Sequence, residues 1–112
     1  MRAYLIDPFD KTVTEVDYSG DFKDIYKFIG AACFDCARFS EHNNDAAYVD
    51  DEGLFKAGQA FFMIGEYHTP LAGKALVLGC DYESGETIGA ETEMSDLKVK
   101  WVSQADLMAM CG

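Results

Sequence analysis

The sequence predicts an α+β domain dominated by an antiparallel sheet, curled into a small half-open barrel of SH3/Sm-like form, with one helix after the second strand. Three observations lead there. Most of the chain reads as strand-length runs divided by turn clusters, one stretch from Phe22 to Ile29 carries a helical period, and two apolar runs occupy the middle. Those runs are Ala60-Phe61-Phe62-Met63-Ile64 and Gly73-Lys74-Ala75-Leu76-Val77-Leu78-Gly79-Cys80-Asp81, and they are expected to be neighbouring buried strands. The stretch between them, Gly65 to Ala72 with Pro70, is too rich in turn formers to extend either one. Curling hides the edges of such a sheet; a flatter sheet with the helix on one face is the rival arrangement.

Arg2 to Asp7 reads as a strand, Tyr4 and Ile6 facing one way and Ala3 and Leu5 the other. Asp7-Pro8-Phe9-Asp10-Lys11 is a turn, because Pro8 has a fixed φ and no N–H for a ladder. Thr12 to Tyr18 returns as a strand, Thr14, Val16 and Tyr18 opposing Glu15 and Asp17, so the pair is expected to be a hairpin with one wet face. The period then changes. Phe22, Ile25, Tyr26 and Ile29 stand at i, i+3, i+4 and i+7, predicting a helix over Asp21 to Ile29. Ser19 or Asp21 supplies its cap, Asp24 suits its first turn, and Gly30 stops it.

Cys33 to Ser40 reads as a strand, Glu41 to Asp45 as a turn, and Ala46 to Asp50 as a returning strand. Asp51-Glu52-Gly53 offers another tight turn, and Leu54 to Gly58 a short strand or irregular crossing. Tyr82 to Thr87 is a solvent-side turn. In the last quarter Leu97, Val99 and Trp101 alternate with Lys98 and Lys100, as in a half-buried strand. Thr92 to Lys98 could instead hold a short helix feeding a strand at Val99 to Val102. Ser103 and Asp106 have the spacing of a capped C-terminal turn.

A chain of 112 residues, 49% hydrophobic, has room for one domain with an adequate core. Nine basic against 20 acidic residues leave a formal charge of −11. That excludes ordinary phosphate-driven nucleic-acid binding and disfavours an anionic membrane surface. It is compatible with a basic protein partner or with simple solubility. The first residues lack a signal-peptide pattern, no apolar run is long enough to span a membrane, and four cysteines do not make a secreted disulfide framework. The expectation is a cytoplasmic protein.

Cys33-Phe34-Asp35-Cys36 has the gap of zinc ligands and redox dithiols, but the other candidates (Cys80, Cys111, His42, His68) are singly placed. The pair also follows a helix end instead of opening a helix, which favours packing cysteines. Gly73-Lys74 is no phosphate loop, since Lys74 leads into a strand and is followed by Ala75. Asp81 to Glu86 lacks the frame of a calcium loop. No metal, cofactor or catalytic group is assigned. One enzymatic alternative remains: a pocket at the Glu66–Pro70 loop where His68 works with Asp50, Asp51 or Glu52.

The acidic residues do show a pattern. No Lys or Arg lies between Arg38 and Lys56, where Glu41, Asp45, Asp50, Asp51 and Glu52 occur. None lies between Lys74 and Lys98, where Asp81, Glu83, Glu86, Glu91, Glu93 and Asp96 occur. If both stretches share a side, Glu41, Asp45, Asp50, Asp51, Glu52, Asp81, Glu83 and Glu86 form a partner-binding surface for a basic protein. In its strongest form that surface occupies a nucleic-acid-binding groove. A homo-oligomer built through a strand edge is a further arrangement such a chain allows.

Leu5-Ile6-Asp7-Pro8, Val13-Thr14-Glu15-Val16, Tyr48-Val49-Asp50-Asp51-Glu52-Gly53-Leu54 and Pro70-Leu71-Ala72-Gly73-Lys74-Ala75-Leu76-Val77-Leu78-Gly79 occur in that order. The order resembles short proteins of unknown function encoded by bacteriophages and plasmids, many of them from marine phage. The resemblance spans most of residues 3 to 102 and implies an accessory protein acting in a bacterial host's cytoplasm. It carries no catalytic residue with it.

Overall fold

The computed structural model describes the chain apart from residues 32, 41–42, 52–59, 66, 82, 104, 107–108 and 110–112, and apart from the side chain of residue 68. The first hairpin forms as its turn chemistry dictates: β1 (Arg2–Asp7) pairs antiparallel with β2 (Thr12–Asp17), Asp7 opposite Thr12. Asp7 Oδ1 accepts the amides of Phe9 at 3.0 Å and Asp10 at 3.3 Å, the short-range bonding by which Asp nucleates turns. Next comes α1 (Lys23–Ile29), with Asp21 Oδ1 accepting the Lys23 amide and Ser19 Oγ the Asp21 amide. Gly30 ends it at φ 68°, its N–H donating to the Tyr26 carbonyl at 2.8 Å, a conformation that glycine adopts without a Cβ clash.

The remaining elements are β3 (Phe34–Arg38), β4 (Asp45–Asp50), β5 (Phe61–Ile64), β6 (Tyr67–Ala72), β7 (Ala75–Cys80), β8 (Thr87–Ile88), a 3-10 turn at Met94–Asp96, and β9 (Val99–Val102). The shorter of the two expectations for the last quarter, a brief helical turn feeding a strand at Val99, is the one observed. The predicted crossing at Leu54 to Gly58 lies outside the described residues. Ser103 and Asp106 cap each other: Ser103 Oγ accepts the Asp106 amide, and Asp106 Oδ2 accepts the Ser103 amide.

Among the described residues all pairings are antiparallel and fall into two sheets. The main sheet runs β2-β1-β7-β4-β3, with β8 also pairing β7; the smaller runs β6-β5-β9. The β-dominated, antiparallel architecture with one helix is observed, and no barrel closes among the described residues. The layering follows from the two-sided strands. On β1, β4 and β7, Tyr4, Ile6, Ala47, Val49, Ala75 and Val77 enter one core, while Ala3, Tyr48, Leu76 and Leu78 enter another. Strands apolar on both faces need a layer on each side. The small sheet covers one face through Phe62, Ile64 and Leu71, and α1 covers the other through Ile25 and Ile29. The first hairpin likewise lacks a wholly wet face, since Val13 packs into one core and Val16 into the other.

Two further expectations are corrected. The runs at Ala60 and Gly73 are not neighbours: β5 is the middle of the small sheet and β7 the middle of the main one. And residues 67–72, read as loop, form β6, paired with β5 from Phe61↔Ala72 to Ile64↔Tyr67. Pro70 is tolerated because β6 is an edge strand, where a missing N–H costs no ladder bond. The β5–β6 turn is at Gly65, with φ 54°; a Cβ there would stand 2.9 Å from the Phe39 carbonyl oxygen, so this glycine lets the small sheet close onto the end of β3.

Candidate functional site

Strand β4 decides how the acidic residues are distributed. Its register with β7 puts Asp45 opposite Gly79 and Val49 opposite Ala75. Asp45 therefore lies at the end of the main sheet where β7 finishes and Asp81 follows, while Asp50 and Asp51 lie at the other end, beside Lys74. At a rise of about 3.3 Å per residue these groups stand roughly 17 Å apart along the strand. Among the described residues, the acidic groups of the first Lys- and Arg-free stretch thus divide between the two ends of the sheet. Asp50 lines a separate hollow of about 240 Å³ with Lys27 and Lys74, and Asp51 is exposed near it. Glu41 and Glu52 lie outside the described residues.

Asp45 is no surface carboxylate. It is fully buried, and its Oδ1 and Oδ2 accept the Glu91 amide at 2.9 and 3.1 Å while Oδ2 also accepts the Thr92 amide at 2.7 Å. Placed on the small-sheet side of β4, it faces the strap of chain, 90–93, that crosses that end of the sheet. Other groups pin the same strap. The Tyr4 hydroxyl donates to the Thr92 carbonyl at 2.8 Å, and Asn43 Nδ2 donates to Thr92 Oγ1 at 3.0 Å. The Arg2 guanidinium donates to the carbonyls of Ala90 and Glu91 and meets the Glu93 carboxylate at 3.3 Å. A buried anion thereby fixes the backbone that carries exposed Glu91 and Glu93 outward. The adjoining turn after β7 exposes Glu83 and Glu86, with Asp81 half-buried at its base. Asp81, Glu83 and Glu86 share this end of the sheet; the sequence also offered Glu91 and Glu93, though nothing in it marked their backbone as anchored.

On the helix side of the same end lies a groove of about 510 Å³ between the start of α1 and the β7–β8 turn. Tyr18, Phe34 and Tyr48 line it, with Phe22 on one rim and Glu86 and Thr87 on the other. Phe22, Tyr26, Phe34 and Tyr48 form a row of rings, centroids 5.9, 5.2 and 5.4 Å apart in succession. Sequence reading assigned these rings to the core, because helical and strand periodicity cannot tell a covered aromatic from one left beside a groove.

The Tyr48 hydroxyl lies near the Cys36 and Cys80 thiols, Cys36 standing opposite Tyr48 across the β3–β4 pair. Burial, reinforced by the neighbouring thiols, raises the Tyr48 phenol above its ordinary 10.0, and partial desolvation beside the sheet raises the Cys36 thiol above 9.0 although the residue is exposed. Both groups are neutral when protonated, so the folded state holds these protons more tightly than the unfolded chain does. The stability this confers is complete below the ordinary values and is lost as pH rises through the raised ones. Urea midpoints should accordingly fall above a pH of about 9, and Tyr48→Phe should make that fall shallower. Equal slopes for the two proteins would remove Tyr48 from the account.

Among the described residues no group of three or more His, Cys, Asp or Glu side chains could hold a metal ion. Cys33 precedes β3 and Cys36 stands on the helix side of the sheet, both of them exposed. His68 lies on β6, second from its start, and its side chain, like Glu52 and His42, falls outside the described residues. No helix among the described residues is long and apolar enough to cross a membrane.

The family model of a domain of unknown function, DUF3846, matches residues 1–102. The chain belongs to that family. The matched span takes in every strand from β1 to β9, and with them the groups that hold the strap and the whole groove. No curated protein and no solved structure matches the chain significantly. What this DUF3846 member does has therefore to be argued from its own surface.

Proposed function

We propose that the protein is a non-enzymatic binding module whose acidic end engages a basic surface of another protein. One observation carries this reading: Glu83, Glu86, Glu91 and Glu93 are exposed at one end of the main sheet, on a segment without Lys or Arg whose backbone is held at Glu91 and Thr92 by buried Asp45 and at Glu83 by Asp81. A rigid array of like charges steers an opposite surface and holds its register, whereas carboxylates on a loose loop would give up that gain in ordering entropy. Of the acidic surface expected from the sequence, Asp81, Glu83 and Glu86 remain in it; Asp50 and Asp51 stand at the far end, and Asp45 acts from beneath. In the strongest form of the reading the carboxylates take the place of nucleic-acid phosphates in the partner's groove. The resemblance to phage and plasmid proteins suggests that the partner belongs to a bacterial host cell or to the mobile element itself.

The test is capture of partners from bacterial lysate by the native protein and by a variant with Glu83, Glu86, Glu91 and Glu93 all changed to Gln, read by native mass spectrometry. The native protein should retain a basic protein that raised salt releases, and the variant should bind it at least about tenfold more weakly. Its stability should change little, because these side chains are exposed. Retention of the same partner by both proteins with equal affinity would falsify the reading.

A further inference from the structure

We infer that the aromatic groove takes an arginine-bearing peptide segment of the basic partner, the guanidinium lying on ring faces and its N–H edges meeting Glu86. This inference rests on the binding-module reading and names where and how the partner is gripped.

Three features of the groove converge on that occupant. The first is unspent apolar surface. Of the four large hydrophobic side chains left exposed among the described residues, Met1 (49% exposed) and Phe22 (54%) both line this groove. Exposed aromatic surface beside a concavity is characteristic of a partner-binding site. The second is the row of rings, of which Phe22, Phe34 and Tyr48 line the groove, Phe22 exposed and Phe34 half-buried. Phe22 and Phe34 are thus the rings that a flat cation can reach. The third is charge complementarity. Glu86 lines the groove, and Asp21 and Glu83 flank it in the chain on either rim, all three exposed. Among the described residues no Lys or Arg lines the groove; the Met1 ammonium beside it is held by Asp17 Oδ1 at 2.9 Å and by the Tyr18 carbonyl.

Arginine fits this combination better than lysine. A guanidinium is planar, weakly hydrated and able to stack while donating in its own plane to a carboxylate; an ammonium has no face to lay on a ring. An uncharged apolar peptide would use the rings and leave Glu86 unpaired.

The experiment titrates the isotope-labelled protein with three short capped peptides that differ only in carrying arginine, lysine or citrulline at the same positions, followed by amide chemical shifts. The arginine peptide should move the amides of Gly20, Phe22, Tyr48, Glu86 and Thr87 and bind severalfold tighter than the lysine peptide, and the citrulline peptide should scarcely bind. Phe22→Ala should weaken arginine binding about tenfold without lowering the unfolding temperature, and Phe22→Tyr should restore it. Glu86→Gln should reduce the salt dependence. The assignment is overturned if arginine and citrulline peptides bind alike, or if shifts concentrate at Glu91 and Glu93 while the groove stays silent. In that second case a basic partner still captured through the strap leaves the binding-module reading standing; loss of both removes both.

Discussion

Replacing Asp45 with alanine should destabilise the folded protein by about 3 kcal/mol, one of the two largest losses expected from any single change in this chain. The carboxylate is fully buried and accepts the amides of Glu91 and Thr92 from a segment 46 and 47 residues away. Deleting it leaves both N–H groups without acceptors in a place water does not reach, and each such orphan costs about 1–3 kcal/mol. Asp45→Asn keeps one acceptor oxygen but sets an amide NH₂ against the donors, so it should recover only part of the loss. Urea unfolding gives the magnitude, and hydrogen exchange supplies the local signature: the Glu91 and Thr92 amides should lose protection well before the strands do. A midpoint unmoved in Asp45→Ala would mean that Arg2, Tyr4 and Asn43 hold the strap without it.

The other large effect is expected at Phe62. This ring is fully buried in the core between the two sheets, together with Tyr4, Ile64 and Val77. Phe62→Ala removes most of a large side chain from a closely packed layer, and losses for such changes run to about 3–5 kcal/mol, transfer and cavity together. Phe62→Leu should cost well under half as much. Its neighbour Phe61 points to the opposite side of the small sheet, into a cluster with Ala72 and Val102, and Phe61→Ala should cost less because fewer partners close around the space. Equal losses at the two positions, measured by denaturant unfolding, would show that the small sheet is packed alike on both sides and would undo the three-layer account.

Local order was largely legible in the sequence where one residue type has one physical use. Pro8 and Asp7 marked the first turn, Gly30 the helix stop, and Ser103 with Asp106 the last cap, and each performs that role. Long-range order was not. The runs at Ala60 and Gly73 look alike because a strand buried on both faces carries no alternation, so nothing in either names its neighbours. Pro70 read as a breaker because edge and centre positions of a sheet are indistinguishable until the sheet is assembled. Asp45 was misread for a related reason. It closes a polar turn cluster, where carboxylates are usually wet, and only the path of residues 90–93 across the sheet turns it inward. The same strand then separates Asp45 from Asp51, so one run of acidic residues ends up at two ends of the molecule.

The position of β7 also governs when the molecule can be completed during synthesis. It lies between β1 and β4, so until Ala75–Cys80 leaves the ribosome the β1–β2 and β3–β4 ribbons share no neighbour. Each is then a two-stranded piece with bare edges, and such pieces hold together poorly on their own in water. A nascent chain halted before that point is two unfinished ribbons, each open to pairing with a foreign strand, and a single late insertion converts both into one sheet.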